Sequence, residues 1–501
     1  MKKFIGRERE LALLNQYQDS PNSTFIVIRG RRRTGKSQLV EEFAKNHVFW
    51  RFSGLPLEEQ NSKKNQKNQK SLGEIAQDQR DYFSNTLMRY TGGARADASD
   101  WFNLFVHLAD QLPHQLSSSS NQQAHQKIIV LLDEISWMAM GDSTFLPKLK
   151  DAWDHLLKKN NQLIFILCGS VSNWIEKNIL SSTGFFGRIH QTITLEELSL
   201  LESLELLESQ DFQASSMEKL MVLSITGGIP WYLEQFFKGQ SAEQHIRRLC
   251  FEKDGLFVSE FDRIFHDLYG SRAPIYLQII NLLASGLKNY SEITEATQYY
   301  SGGTLSEYLD DLVISGFVTK DKGWAINTGL ARKIIHYRLS DNYLRFYLKN
   351  MLPNLDKIQK GHFEAVSLKN LKGFSSYLGL QLENLVLRNK DLIFKSLGIL
   401  KQDVVADGPF IQRKTKAQEG CQIDYLIQTS FNSLLLCEVK FSKNLIGLNV
   451  ISEVQEKIKK LKKPRGFSCV PVLIYFGELS EEILDQQFFY KLISFEAFLT
   501  I

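Results

Sequence analysis

Residues 25–43 read FIVIRGRRRTGKSQLVEEF. Within them, residues 30–37 (G-R-R-R-T-G-K-S) match G-x-x-x-x-G-K-[ST] in full. An apolar strand precedes the match and an amphipathic helix follows it, the context in which this pattern forms a phosphate-binding loop. Gly30 and Gly35 let the backbone curl so that its amides point at phosphate oxygens, and the helix opening at Lys36 adds its N-terminal dipole. The expected nucleotide-binding set is Gly30, Arg31, Arg32, Arg33, Thr34, Gly35, Lys36, Ser37 and Gln38. Lys36 would neutralise β/γ-phosphate charge, and the Ser37 hydroxyl would ligate Mg²⁺. The three consecutive arginines raise a rival reading, a basic nucleic-acid patch.

The segments around the loop favour the nucleotide. "KIIVLLDE" (127–134) is an apolar strand ending in Asp133, placed to hold Mg²⁺, and Glu134, placed to orient or deprotonate an attacking water. "QLIFILCGS" (162–170) ends in Ser170, a candidate γ-phosphate sensor with Ser172 and Asn173 close behind; a strand-end serine is also ordinary turn chemistry. Arg188, just before "HQTITL", has two readings, an arginine finger into a neighbouring copy of a homo-oligomer or a structural ion pair. With "TFIVIRG" and "HVFWRF", these apolar runs alternate with helical segments, which predicts a parallel sheet covered on both faces.

"FIGRERELALL", "RGRRRTGKSQLVEEF", "IIVLLDEISWM", "LCGSVSNW", "FFGRI" and "TGGIPWYL" together resemble the AAA+-related P-loop ATPase family described largely from archaea, and are similar to the signalling ATPases with numerous domains. The resemblance covers roughly residues 1 to 240. It implies ATP and Mg²⁺ as cofactors, ATP hydrolysis, and Phe4, Gly6 and Arg7 beside the base. It also implies a helical lid carrying Gly227, Gly228 and Pro230, with no arginine next to it to act as a second sensor. Family members commonly carry "GRRRxGKT", so the arginines are a family trait whose side chains would point to solvent, adjacent domains or a partner.

The whole-chain numbers fit a multidomain protein. Its 501 residues predict several domains, and a net charge of +4, from 60 basic and 56 acidic residues, is too small for a global nucleic-acid argument. Five scattered cysteines without CxxC spacing suit a reducing cytosol, and no membrane span is expected. The polar stretches 58–73 and 117–127 read as surface insertions. The expected layout is a P-loop core (1–195), a helical lid (196–268), a winged-helix-like domain (269–345) and a last α/β domain (346–501). In the third of these, "GGTLSEYLDDLVISGFV" would be the recognition helix and "TKDKGW" the wing, with Lys320 and Lys322 as its cations. Glu307, Asp310 and Asp311 on the helix would repel phosphates, which favours a packing role.

The last region holds a second constellation. "GCQIDYLIQTSFNSLLLCEVKFSK" (420–443) reads as a hairpin with Asp424 on one strand and Glu438 and Lys440 on the other. Period-two alternation puts Glu438 and Lys440 on one face, where Asp424 and Glu438 could share a divalent cation and Lys440 could position water. An exposed charged hairpin face is the competing reading. D-x(13)-E-V-K resembles the PD-(D/E)xK nuclease core, a restriction-endonuclease-like fold. That resemblance implies a helical metal-linked glutamate, here Glu383, and the order helix, three-strand meander, helix, strand. The adjoining "QEKIKKLKKPRG" carries Lys457, Lys459, Lys460, Lys462, Lys463 and Arg465, a candidate phosphodiester-binding run with DNA the expected polymer. Two functions stay open: an ATPase controlling a nuclease-like domain, and an ATPase switch whose other domains only bind.

Overall fold

A computed structural model describes residues 3–56, 70–113, 126–170, 173–299, 302–363, 367–416 and 418–500. The chain forms two compact units, Met1–Glu196 and Glu197–Ile501.

The first unit is built on five parallel strands: β1 (Thr24–Gly30), β2 (Val48–Ser53), β3 (Ile128–Asp133), β4 (Leu163–Ser170) and β5 (Gln191–Leu195), in spatial order β2-β3-β4-β1-β5. These are the five runs whose apolar character predicted strands. Alternation divides each between two cores. Phe25 and Val27 join one face with Val130, Phe165 and Trp153, while Ile26 and Ile28 join the other with Leu131, Ile166 and Leu39. Burial on both faces explains why β1, β3 and β4 read as continuous apolar runs.

The polar stretches 58–73 and 117–127 fall largely outside the described residues. Residues 57–69 and 114–125 lie outside the described residues. Leu72–Thr91 is a helix whose first turn is fixed by a capping box between Ser71 and Glu74. Lys127 is buried at the start of β3, with its ammonium on the Ser20 and Asn161 carbonyls at 2.6 and 3.2 Å.

The second unit opens with helices (Leu200–Ser209, Ser216–Thr226, Ala242–Cys250, Glu260–Tyr269), as the loss of apolar strand runs predicted. Next come Ala273–Leu283, β6 (Lys288–Asn289), Tyr290–Thr297, Gly302–Ile314, β7 (Val318–Trp324) and β8 (Ala331–Leu339), whose strands pair antiparallel in order β6-β8-β7. "TKDKGW" lies on β7, one strand of the β7–β8 hairpin. Lys320 ion-pairs with Asp310, and Asp311 is buried beneath the Tyr276 hydroxyl that donates to it, so neither aspartate presents a bare acidic face.

The last sheet comprises β9 (Val404–Gln412), β10 (Cys421–Thr429), β11 (Ser433–Phe441), β12 (Ser468–Phe476) and β13 (Lys491–Ser494), in order β13-β12-β11-β10-β9. β9, β10 and β11 form an antiparallel meander; β12 joins β11 in parallel after the helix Asn449–Lys460. The preceding helix, Phe374–Arg388, completes the order expected from the sequence.

The three segments predicted within this unit interlock. Trp324 and Ile326, around the β7–β8 turn, share a core with Phe410, Ile423 and Leu426. The buried Trp324 indole donates to Gln428 Oε1 at 2.8 Å, and Gln428 Nε2 returns a bond to the Ile326 carbonyl at 2.9 Å. Tyr377 and Gln381 both donate to the Ser224 carbonyl, at 2.6 and 2.5 Å.

Candidate functional site

Gly30 ends β1 in extended backbone. Its need for glycine is steric, because a Cβ there would collide with the Leu195 carbonyl of neighbouring β5. The left-handed bends fall at Arg33 (φ 70°) and Gly35 (φ 87°), the second capping the helix Lys36–Phe43. Arginine at positive φ costs of order 1 kcal/mol or more, so the rest of the loop holds this geometry in place. Thr34 Oγ1 donates to the Arg31 carbonyl at 2.8 Å. The buried Arg7 guanidinium reaches the Thr34 carbonyl at 3.1 Å and that of Glu196 at 2.6 Å. Arg7 thus braces the loop backbone itself. Arg32 lies over the Trp137 ring, 5.1 Å from its centroid, rather than pointing to solvent.

Lys36 is 6% exposed and folds its ammonium back onto the Gly30 and Arg31 carbonyls, both at 3.0 Å. Ser37 Oγ donates to Asp133 Oδ2 at 2.7 Å. A hydroxyl and a carboxylate in contact are the hard oxygen donors that Mg²⁺ takes, so the donor chemistry fits that ion. Glu134 sits in left-handed backbone (φ 52°) beyond the end of β3. Its carboxylate accepts from Ser170 Oγ at 3.1 Å and from the Ser170 amide at 3.3 Å. The candidate γ-phosphate sensor Ser170 is thus hydrogen-bonded to the candidate base Glu134.

Arg51 escaped the sequence reading. From β2 it ion-pairs with Asp133 Oδ2 at 2.6 Å and with Glu41 at 2.6 Å. Asp133 is 3% exposed, and a buried carboxylate is stabilised by a cation beside it. The missed signal was positional: Ser53 pairs with Asp133 in the β2–β3 register, which brings a residue two positions earlier within reach.

Arg188 makes a two-pronged pair with Asp154, Nε to Oδ1 and Nη2 to Oδ2, each at 2.8 Å. The guanidinium holds the Asp154 carboxyl down at about 2 from its ordinary 3.8. A depressed carboxyl contributes stability that is complete above the ordinary value and lost as pH falls through about 2. Asp154→Asn should therefore lower the melting temperature by roughly 2–4 °C at pH 7. The difference should fade between pH 4 and 2, as followed by circular dichroism.

In the second unit Tyr425 pairs with Cys437, which brings Asp424 and Glu438 together. Asp424 Oδ2 accepts the Val439 amide at 3.0 Å. Lys440 Nζ lies 3.1 Å from Glu438 Oε1 and 2.7 Å from Glu453 Oε2. Burial, followed by the Glu438 charge, pushes the Asp424 carboxyl up to about 6. Burial, followed by Asp424, pushes Glu383 up to about 7, so the three acids sense one another. The expected metal position does not fit, however. Among the described residues no three His, Cys, Asp or Glu side chains are disposed to hold a metal ion. Lys457 stands there instead, 2.5 Å from Glu438 Oε2 and 3.8 Å from Asp424 Oδ1. The sequence had placed Lys457 among phosphate-binding cations. No helix among the described residues is long and apolar enough to cross a membrane.

An uncharacterized protein of Methanocaldococcus jannaschii is 25% identical over 391 residues, 76% of this chain and 75% of that protein. The Walker-type ATPase of Pyrococcus abyssi is similar in structure, with a TM-score of 0.47 and 17% identity over 69% of this chain and 96% of that one. The ORC2 protein of Aeropyrum pernix, in ADPNP–ADP complexes, gives 0.40 and 15% over 72% and 96%. Residues 4–236, which include the strand–loop–helix at Gly30–Ser37, match the family described as "ATPase domain predominantly from Archaea".

Proposed function

We propose that this protein is an ATP-hydrolysing switch whose second unit carries a nuclease-like fold that binds nucleic acid. The observation that carries the ATPase half is the contact of Ser37 with Asp133, beside a Glu134 already held in place by Ser170. Loop amides and Lys36 would take the phosphates, with Lys36 exchanging two carbonyl partners for phosphate oxygens. Asp133 and Ser37 would hold Mg²⁺, which when bound neutralises phosphate charge. Glu134 would orient the attacking water and accept its proton. Arg188 would act as a finger only in a homo-oligomer, and only after leaving Asp154.

For the second unit, helix, antiparallel meander, helix and parallel strand support the PD-(D/E)xK-like reading. The helices and hairpin of residues 273–339 support a winged helix used for packing, since Trp324 is buried in the neighbouring core. Metal-dependent cleavage at Asp424 and Glu438 was one of the two open readings, and Lys457 on those carboxylates favours the other, binding without cleavage. Lys459, Lys462, Lys463 and Arg465 are exposed, and DNA is the polymer to test first.

Wild-type protein should bind duplex DNA by fluorescence anisotropy and leave it uncut with Mg²⁺, with or without ATP. Replacing Lys462, Lys463 and Arg465 together by alanine should weaken binding about tenfold or more and flatten the salt slope by about 2 to 3. Unchanged binding in the triple variant would remove the interface. Cleavage abolished by Glu438→Ala would restore the nuclease reading.

A further inference from the structure

We infer that Lys457 is the resident cation of the Asp424–Glu438 pair and keeps divalent metal out of it. The inference rests on the nuclease-like reading of these strands and concerns what occupies their carboxylates.

Every carboxylate oxygen of the pair has a partner. Glu438 Oε1 faces Lys440 at 3.1 Å and Oε2 faces Lys457 at 2.5 Å. Asp424 Oδ2 takes the Val439 amide at 3.0 Å, and Oδ1 faces Lys457 at 3.8 Å. The Glu438 side chain is 3% exposed, so water cannot replace a lost cation there. A divalent ion bound to these carboxylates would lie about 2.0–2.6 Å from their oxygens. That is the space Lys457 Nζ fills, and two cations cannot share it without strong repulsion.

The lysine's approach is built into the helix Asn449–Lys460. Glu453 and Lys457 are four residues apart and share a face. Both engage the β11 charges in crossed pairs, Glu453 with Lys440 and Lys457 with Glu438. The two buried carboxylates thus meet two lysines, one of which, Lys440, also pairs with Glu453. Lys457 therefore belongs to this site rather than to the DNA-facing run that follows it.

The test is Mn²⁺ binding to nucleotide-free full-length protein, read by electron paramagnetic resonance and by the shift in melting temperature with Mn²⁺. Lys457→Gln, which keeps a donor toward Glu438, should gain a Mn²⁺ site at least about tenfold tighter than any in the wild type. That site should vanish in Lys457→Gln/Glu438→Gln, and charge-preserving Lys457→Arg should behave as wild type. A wild-type protein already binding Mn²⁺ through Glu438 as tightly as Lys457→Gln would overturn the inference. So would a folded Lys457→Gln protein, checked by circular dichroism, that binds no additional Mn²⁺. The two proposals fail separately: loss of the DNA interface leaves the Mn²⁺ result standing, and a negative Mn²⁺ result leaves DNA binding standing.

Discussion

Lys36→Ala should weaken ATP binding by about 100-fold or more, measured by titration calorimetry or a fluorescent nucleotide. The ammonium is buried against two backbone carbonyls, neutral acceptors that a triphosphate outcompetes. Charge-assisted bonds of this kind contribute roughly 1.5–3 kcal/mol each, and about 2.8 kcal/mol is a hundredfold in affinity. The substitution also leaves the Gly30 and Arg31 carbonyls without that donor, so a melting curve without nucleotide should accompany the titration. A folded variant with wild-type affinity would mean that the nucleotide binds elsewhere.

Glu134→Gln should separate binding from hydrolysis. The amide oxygen of glutamine can still accept from Ser170 Oγ, so the left-handed turn and the end of β3 should survive. What disappears is the proposed base for the attacking water. Turnover should fall about 10²- to 10⁴-fold while ATP affinity stays within a few-fold of wild type. Phosphate release and equilibrium binding, measured on one preparation, decide the matter. A turnover loss matched by an equal loss of affinity would indicate a structural rather than a catalytic role.

The parts of the fold legible in sequence were those set by local pattern. β1, β3 and β4 are buried on both faces and so announce themselves as unbroken apolar runs, and Gly30 to Ser37 is contiguous. β8 was invisible because its first residues, Ala331 to Ile334, are exposed and show no alternation to read. Arg51 and Lys457 were missed or misplaced for a different reason. Each is tied to its carboxylate by tertiary geometry, Arg51 through the β2–β3 adjacency and Lys457 through its place on the helix Asn449–Lys460. Asp133, Glu134, Asp424, Glu438 and Lys440 were visible because strand ends and alternation place charged residues predictably. Which cation answers them was not.

The indole of Trp324 bears on how such a chain can be recombined. Its N–H donates to Gln428, and Gln428 in turn caps the carbonyl of Ile326. A breakpoint near residue 345, natural or cloned, would strand a buried amide on one fragment and an aromatic plug on the other. Lineages that exchange the helical hairpin without the terminal sheet should therefore have to change both residues together. A cut at Glu196–Glu197, where the two compact units meet in sequence, would by contrast leave Trp324 and Gln428 on one piece.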